Sequence, residues 1–491
     1  MVLYLHGHDY HFELQNVCRL FLPQERLTVA QSADQPTDGA ALYARLSRDD
    51  THTVLSCRLQ LSDYDESREA TVPNTHADYH NECELVLCEL LYALLSDAFS
   101  TEQEWGIVTG VRPVKLLRRL IAEDGEEAAL SRFRERLHIS ERKLSLCRTT
   151  LQAENQILAL SRPESFSLYV SVPFCPSRCD YCSFVSQTVT RAVKLIPTYV
   201  DRLCEEIAYT GKLARELGLR LETVYFGGGT PTTLTTEQLW QLTAAVESAF
   251  DLSRVREYTV EAGRPDTVTK EKLDVLKKAG VSRISINPQT LSDDVLAAIG
   301  RHHTVEQFYT AFDLARQCGH TNINTDLIAG LPSDTYESFC RTIDGILELS
   351  PESVTVHTLS MKRAANLTLQ KRADYRFGDE AVRMVRYTAE RLPSAAYQPY
   401  YLYRQSRTVG NQENVGWAKP GYEGLYNVYI MDETHTILGC GAGAVSKLKR
   451  AGTEYLERIF NYKFPYEYND GLAEMLARKR AVRDFYERFP I

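Results

Sequence analysis

The sequence predicts an α/β chain centred on a partial (β/α) barrel of six units, with a separate N-terminal α/β module and a C-terminal extension. Two observations predict it. From about residue 167 to 360, short β-branched or apolar runs alternate with helical stretches, which implies parallel strands joined by right-handed crossovers. The unusual residues of this stretch (a cysteine loop, a glycine run and Glu261) follow the first three strand candidates, at the ends where α/β barrels gather their functional groups. Six units rather than eight predict a barrel that stays open on one side.

Residues 1–160 read as the N-terminal module, with strands over Val2–Leu5 and Tyr10–Leu14 and an amphipathic helix over Glu82–Phe99. Gly110-Val-Arg-Pro113 is a turn in which Pro113 is placed to open the next helix. His6, His8 and His11 could suggest a metal, but His6 and His8 also fit one face of the opening strand, and no further ligand follows at matched spacing. His76, His80 and Cys83 share a helical face, and the glutamate of a zinc-protease motif is absent beside them. Arg112, Lys115, Arg118 and Arg119 form a basic stripe that reads as a solvated face.

Residues 161–360 form the barrel. Its strands are expected at Leu168–Val172, Thr223–Phe226, Tyr258–Glu261, Arg283–Ile286, Ile323–Ile328 and Val354–His357. Its helices are expected near Tyr199–Leu217, Thr236–Phe250, Lys270–Ala279, Val305–Cys318 and Tyr336–Leu349. Residues 361–491 form the extension, tyrosine-rich between Tyr397 and Tyr429 and then polar and helical, with Gly439-Cys-Gly-Ala-Gly443 as a glycine-rich turn.

At 491 residues, with 44% hydrophobic and 25% charged side chains, the composition is that of a globular protein with room for several cores. A net charge of −9 argues against nucleic acid as a partner, because phosphate contacts call for a basic surface. No apolar run is long enough for a membrane span and no signal-peptide order opens the chain, so a cytoplasmic location is expected. Nine of the twelve cysteines are scattered among apolar neighbours, as small hydrophobes of a reducing compartment are.

The other three form Cys175-Pro-Ser-Arg-Cys179-Asp-Tyr-Cys182. A loop with this spacing can offer three thiolates to three irons of a cubane and leave the fourth iron free to bind a small molecule. A structural zinc site would need a fourth protein ligand, and none stands nearby in sequence.

With Tyr169-Val-Ser-Val-Pro-Phe leading into it, this loop resembles the radical S-adenosylmethionine superfamily, and within it the oxygen-independent coproporphyrinogen III dehydrogenase group. Gly227-Gly-Gly-Thr230-Pro-Thr232, Val260-Glu261-Ala, Arg283-Ile-Ser-Ile-Asn-Pro-Gln289-Thr, Arg301-His-His-Thr and Asp326-Leu-Ile-Ala-Gly-Leu-Pro332 follow in that group's order. Thr109-Gly-Val-Arg-Pro, Pro399-Tyr-Tyr-Leu-Tyr and Asn414-Val-Gly-Trp-Ala-Lys-Pro420 resemble its HemZ branch.

The resemblance implies a 4Fe–4S cluster on Cys175, Cys179 and Cys182, and S-adenosylmethionine bound by Tyr169, Tyr181, Gly227, Gly228, Gly229, Thr230, Glu261, Gln289, Arg301 and Asp326. It implies a tetrapyrrole substrate, an electron donor such as flavodoxin or ferredoxin, and conversion of propionate side chains to vinyl groups. Arg404 and Lys419, in the tyrosine-rich segment, are candidates for covering such a substrate at the barrel opening. The chain departs from the dehydrogenase pattern at two positions, with Phe184 where those enzymes carry a further cysteine and Ser171 in place of a histidine. Cys182-Ser-Phe184 resembles instead the haem-trafficking branch. Three readings follow: porphyrinogen decarboxylation, haem chaperoning, or radical chemistry such as ring-opening haem methylation.

Overall fold

The computed structural model describes residues 1–30, 39–362, 365, 367 and 378–491. The opening of the C-terminal extension, residues 368–377, lies outside them. The described residues fall into two compact units, one of Met1–Arg148 with Arg404–Arg407, the other of Thr149–Tyr403 with Thr408–Ile491.

In the first unit a five-stranded sheet runs Thr28–Ala30, Val2–His6, Ala41–Arg48, His52–Leu61, Tyr64–Pro73. Its core joins Leu3, Leu42, Leu55 and Leu59 of the strands to Leu14, Leu87 and Leu91 of the helices His11–Phe21 and Tyr79–Phe99. The structure corrects the expected strand Tyr10–Leu14: Leu14, Val17 and Cys18 recur at helical spacing and are buried together on one face of a helix. The histidine readings change with it. The opening strand ends at His6, while His8 and His11 bond to the backbone oxygens of Ala44 and Asp9 at 3.2 and 2.9 Å. His76 lies ahead of the helix that carries His80 and Cys83. Of the basic stripe Arg119 is exposed, whereas Arg112, Lys115 and Arg118 are half-buried.

The second unit holds the barrel. The six expected strands are present as Ser165–Val172, Arg220–Gly228, Glu257–Glu261, Arg283–Ser285, Ile323–Ala329 and Ser353–Thr358, each parallel to the next. A further parallel strand, Thr436–Cys440, pairs with Ser165–Val172 on its other side, where the sequence reading has only a glycine-rich turn. Antiparallel strands extend both edges: Glu413–Ala418 lies on Ser353–Thr358, and Val445–Lys449 lies on Thr436–Cys440.

Side chains alternate in chemistry along these strands. Phe166, Leu168, Val170 and Val172 form one face, and Phe166 meets Phe250 at the end of the helix Thr236–Ala249, with ring centroids 6.1 Å apart. The apolar set thus faces the outer helices. The intervening set is polar: Ser167, Tyr169 and Ser171, then Glu257, Thr259 and Glu261, then Asn324 and Asp326. A period of two with the polar members turned inward gives the barrel a hydrophilic interior.

The N-terminal end of the barrel is plugged by the helix Leu425–Asp432. The amides of Leu425 and Tyr426 donate to the carboxylate of Glu257 at 2.7 and 3.2 Å, placing a negative charge at the helix N-terminus. Tyr426 stacks on Tyr225 with centroids 4.4 Å apart, and Tyr169 completes the group at 6.2 Å from Tyr426. Lys419 of the tyrosine-rich segment donates to Ser350 at 2.8 and 2.7 Å, just before the strand Ser353–Thr358 begins. It therefore lies at the end opposite the cysteine loop.

Candidate active site: the cysteine loop and the strand ends

The loop carrying the three cysteines leaves the end of the first barrel strand. Its entry, Phe174–Cys175, pairs with Gln187–Thr188 and so closes the loop at its base. The amide of Cys182 donates to the carbonyl of Cys179 at 3.1 Å, and the amide of Asp180 to the carbonyl of Ile299 at 3.0 Å. All three thiols are partly exposed. The Cys182 thiol is raised to about 11, chiefly by burial and also by Cys179 and Cys175, so the three sulfurs share one neighbourhood. Metal coordination takes such protons off.

Two side chains reach the sulfurs from neighbouring strand ends. The Thr230 hydroxyl lies 3.7 Å from Cys175 Sγ, and Arg264 Nη1 lies 4.0 Å from Cys179 Sγ. Arg264 is itself held by Asp266 at 3.0 and 2.9 Å. Arg301 is buried and donates to the hydroxyl of Tyr181 at 2.9 Å and to the carbonyls of Gly263 and Asn287 at 2.8 and 3.0 Å. Tyr181 and Arg301 thus tie the cysteine loop to the third and fourth strand ends.

The glycine run pairs with the strand entering the loop, Ser171 opposite Gly227 and Val172 opposite Gly228. A Cβ on Gly229 would lie 2.5 Å from the carbonyl oxygen of Phe174, and Gly228 adopts φ +103°. Only glycine lets the two strand ends meet there. The amides of Gly229 and Thr230 donate to Val172 and Phe174 at 2.9 and 2.7 Å, so they fasten the loop's entry. The carbonyl of Gly441, in the turn after the seventh strand, accepts from Asn461, and Gly441 at φ +96° packs against Ser171.

Deeper in, Glu261 accepts a 2.5 Å bond from the Tyr225 hydroxyl. Burial pushes its carboxyl up to about 7; the Tyr225 bond opposes this and Asp326 adds to it. Asp326 accepts from Asn324 and Asn287, both at 2.8 Å, and stands 4.0 Å from His357. His357 Nδ1 lies 3.3 Å from the Tyr403 hydroxyl. Gln289 adopts φ +70°, with its amide on the Asp326 carbonyl at 3.0 Å.

The expected residues therefore separate into two sets. Tyr181, Thr230 and Arg301 gather around the cysteine loop, and Glu261, Gln289 and Asp326 line the interior of the strand ends. Gly227 joins the sets, since a Cβ there would lie 3.3 Å from the Glu261 carboxyl. Tyr169 sits lower, in the tyrosine stack. The sequence reading missed Tyr225, Arg264, Asn287 and His357. Asn287, inside the motif Arg283–Thr290, and His357, at the end of the sixth strand, carry usable signals; Tyr225 and Arg264 carry none.

Three half-buried thiols in one neighbourhood, beside two guanidinium groups and two carboxylates, fit an iron–sulfur cluster with a zwitterionic, ribose-bearing ligand. The comparisons with known proteins agree. The radical SAM superfamily matches residues 169–346. The oxygen-independent coproporphyrinogen-III oxidase-like protein HemZ of Bacillus subtilis (strain 168) is 37% identical over 479 residues, 95% of this chain and 94% of that one. The heme chaperone HemW of the same organism is 31% identical over 312 residues, 61% and 77% of the two chains. Among solved structures, coproporphyrinogen III oxidase (HemN) from Escherichia coli aligns with a TM-score of 0.52 at 24% identity, over 66% of this chain and 73% of its own, a likeness of fold.

The fold and the loop define the class, a radical SAM protein, whose cofactors are a 4Fe–4S cluster and S-adenosylmethionine. Within that class the chain belongs to the family of the oxygen-independent coproporphyrinogen-III oxidase-like protein HemZ.

Proposed function

We propose that this protein carries out oxygen-independent oxidative decarboxylation of coproporphyrinogen III to protoporphyrinogen IX. The observation that carries the reading is the three-cysteine loop at the mouth of a partial barrel whose interior is polar, in a chain alike to a HemZ protein along almost its whole length. Bound there, the cluster and S-adenosylmethionine would supply one-electron radical chemistry, with a flavodoxin or ferredoxin as electron donor and a further acceptor for the electron released as a propionate loses hydrogen and carbon dioxide to become a vinyl group.

The chain's own residues set the stage for this. Cys175, Cys179 and Cys182 hold the cluster, and Thr230 and Arg264 place hydrogen-bond donors beside two of the sulfurs, which favours their anionic form. Arg301 fixes Tyr181 and so the outer half of the loop. Glu261, Gln289 and Asp326 offer acceptors to an ammonium and to ribose hydroxyls, with Tyr169, Gly227, Gly228 and Gly229 shaping the wall beneath. In this reading residues 1–160 are an accessory module, 161–360 hold the cofactors and 361–491 complete the substrate site.

A second reading, haem chaperoning, is favoured by Phe184 in place of a cysteine and by the likeness to HemW. The test is anaerobic incubation of reduced, reconstituted protein with S-adenosylmethionine and coproporphyrinogen. Formation of 5′-deoxyadenosine with a vinyl product supports decarboxylation. Formation of 5′-deoxyadenosine without loss of carboxylate, together with tight haem binding, supports the chaperone. Consumption and methylation of haem rejects both.

A further inference from the structure

Phe184, two residues past the last cysteine, is 64% exposed beside the half-buried cysteine loop. The ammonium of Lys362 lies 5.8 Å from its ring centroid. Lys362 follows the sixth barrel strand, Ser353–Thr358, so these two residues bring the cysteine loop and the far side of the barrel mouth together. Its charge is felt by Cys182 on one side and by His357 on the other.

Among the described residues Lys362 has no carboxylate partner. Burial lowers its proton affinity and only Cys182 opposes that. The ammonium carries three donors, which a ligand carboxylate can accept as charge-assisted hydrogen bonds. The exposed ring beside it offers a flat apolar face.

We propose that Phe184 and Lys362 form a docking site for one propionate-bearing edge of a tetrapyrrole, the ring under the macrocycle and the ammonium on the carboxylate. His357, with 29% of its side chain exposed and its Nδ1 near Tyr403, is near enough to feel the Lys362 charge. Phe184 thereby gains a role in substrate recognition at the position where the related dehydrogenases carry a cysteine. The inference rests on the tetrapyrrole reading above.

The test is fluorescence titration of reconstituted holoprotein with coproporphyrin III and with its tetramethyl ester, which keeps the macrocycle and removes the negative charges. The wild-type protein is expected to bind the free acid more tightly than the ester. Lys362→Gln should weaken free-acid binding roughly tenfold and leave the ester unchanged, as loss of one charged hydrogen bond would, and Lys362→Arg should retain it. Phe184→Ser should weaken both ligands. Wild-type affinity for the free acid in Lys362→Gln, or for both ligands in Phe184→Ser, overturns the docking site while the tetrapyrrole reading stands. If the wild-type protein binds neither ligand, the tetrapyrrole reading falls and the docking site with it.

Discussion

Single side chains decide what the barrel mouth can hold. Cys179 has Arg264 beside its sulfur and the Cys182 amide on its carbonyl, so it anchors the middle of the loop. Wild-type protein reconstituted without oxygen should carry about four irons, the content of one cubane, and Cys179→Ala should lose the broad visible absorbance together with S-adenosylmethionine cleavage. Asp326→Ala should keep the iron but bind S-adenosylmethionine roughly tenfold more weakly, measured by equilibrium dialysis, through loss of a charged acceptor.

Glu261 carries a pH signature. Its carboxyl rises from 4.5 to about 7 in the fold, so the folded state holds the proton more tightly than the unfolded chain. The resulting penalty is absent below pH 4.5, grows as the pH rises to about 7 and is constant above. Thermal unfolding of Glu261→Gln should lack this component, and its melting temperature relative to wild type should increase across that interval. Cys175, Cys179 and Cys182 stand out in the sequence because their spacing is itself the signal. Tyr225 does not, because a tyrosine inside a strand looks the same in sequence whether it lines a cavity or a core.

Elements were read well where chemistry alternated plainly. The six barrel strands begin and end within a few residues of expectation, since β-branched runs bounded by turns admit one reading. Tyr10–Leu14 misled because five residues cannot separate a period of two from one of 3.6; the pattern becomes helical only when Val17 and Cys18 are included. Thr436–Cys440 was hidden by the glycines that follow it, which read as a turn while the strand before them is short.

What holds this strand end is also remote in sequence. Glu206, fully buried on the helix Ile196–Glu216, accepts from the Gly441 amide at 2.7 Å, Tyr468 at 2.6 Å and Asn461 at 2.8 Å, and pairs with Lys479 at 3.2 Å. Lys479 in turn donates to the Gly439 carbonyl at 2.6 Å. Lys479→Met removes the ammonium partner of the buried Glu206, so urea unfolding should show a loss of about 3–5 kcal/mol. Because Gly441 packs on Ser171, the same variant should also loosen the entry to the cysteine loop.

At the scale of the whole molecule, the polar interior and the plugged lower end direct chemistry to one mouth, where the cysteine loop lies. Among the described residues no helix is long and apolar enough to cross a membrane. The arrangement has a consequence for how the protein is made. Ser165–Val172, the strand that launches the cysteine loop, obtains one of its two partners from Thr436–Cys440, more than 260 residues later in the chain. On the ribosome that strand waits as an unprotected edge, open to pairing with the wrong chain, until Thr436–Cys440 has emerged. A chain truncated before residue 436 should therefore aggregate and retain little iron even though every cysteine of the loop is present, a result that iron analysis of the soluble fraction would read directly. In that order of events the cluster would load only after the strand Thr436–Cys440 has been made, so a chain that stops short of it would not take up iron and sulfide that it cannot use.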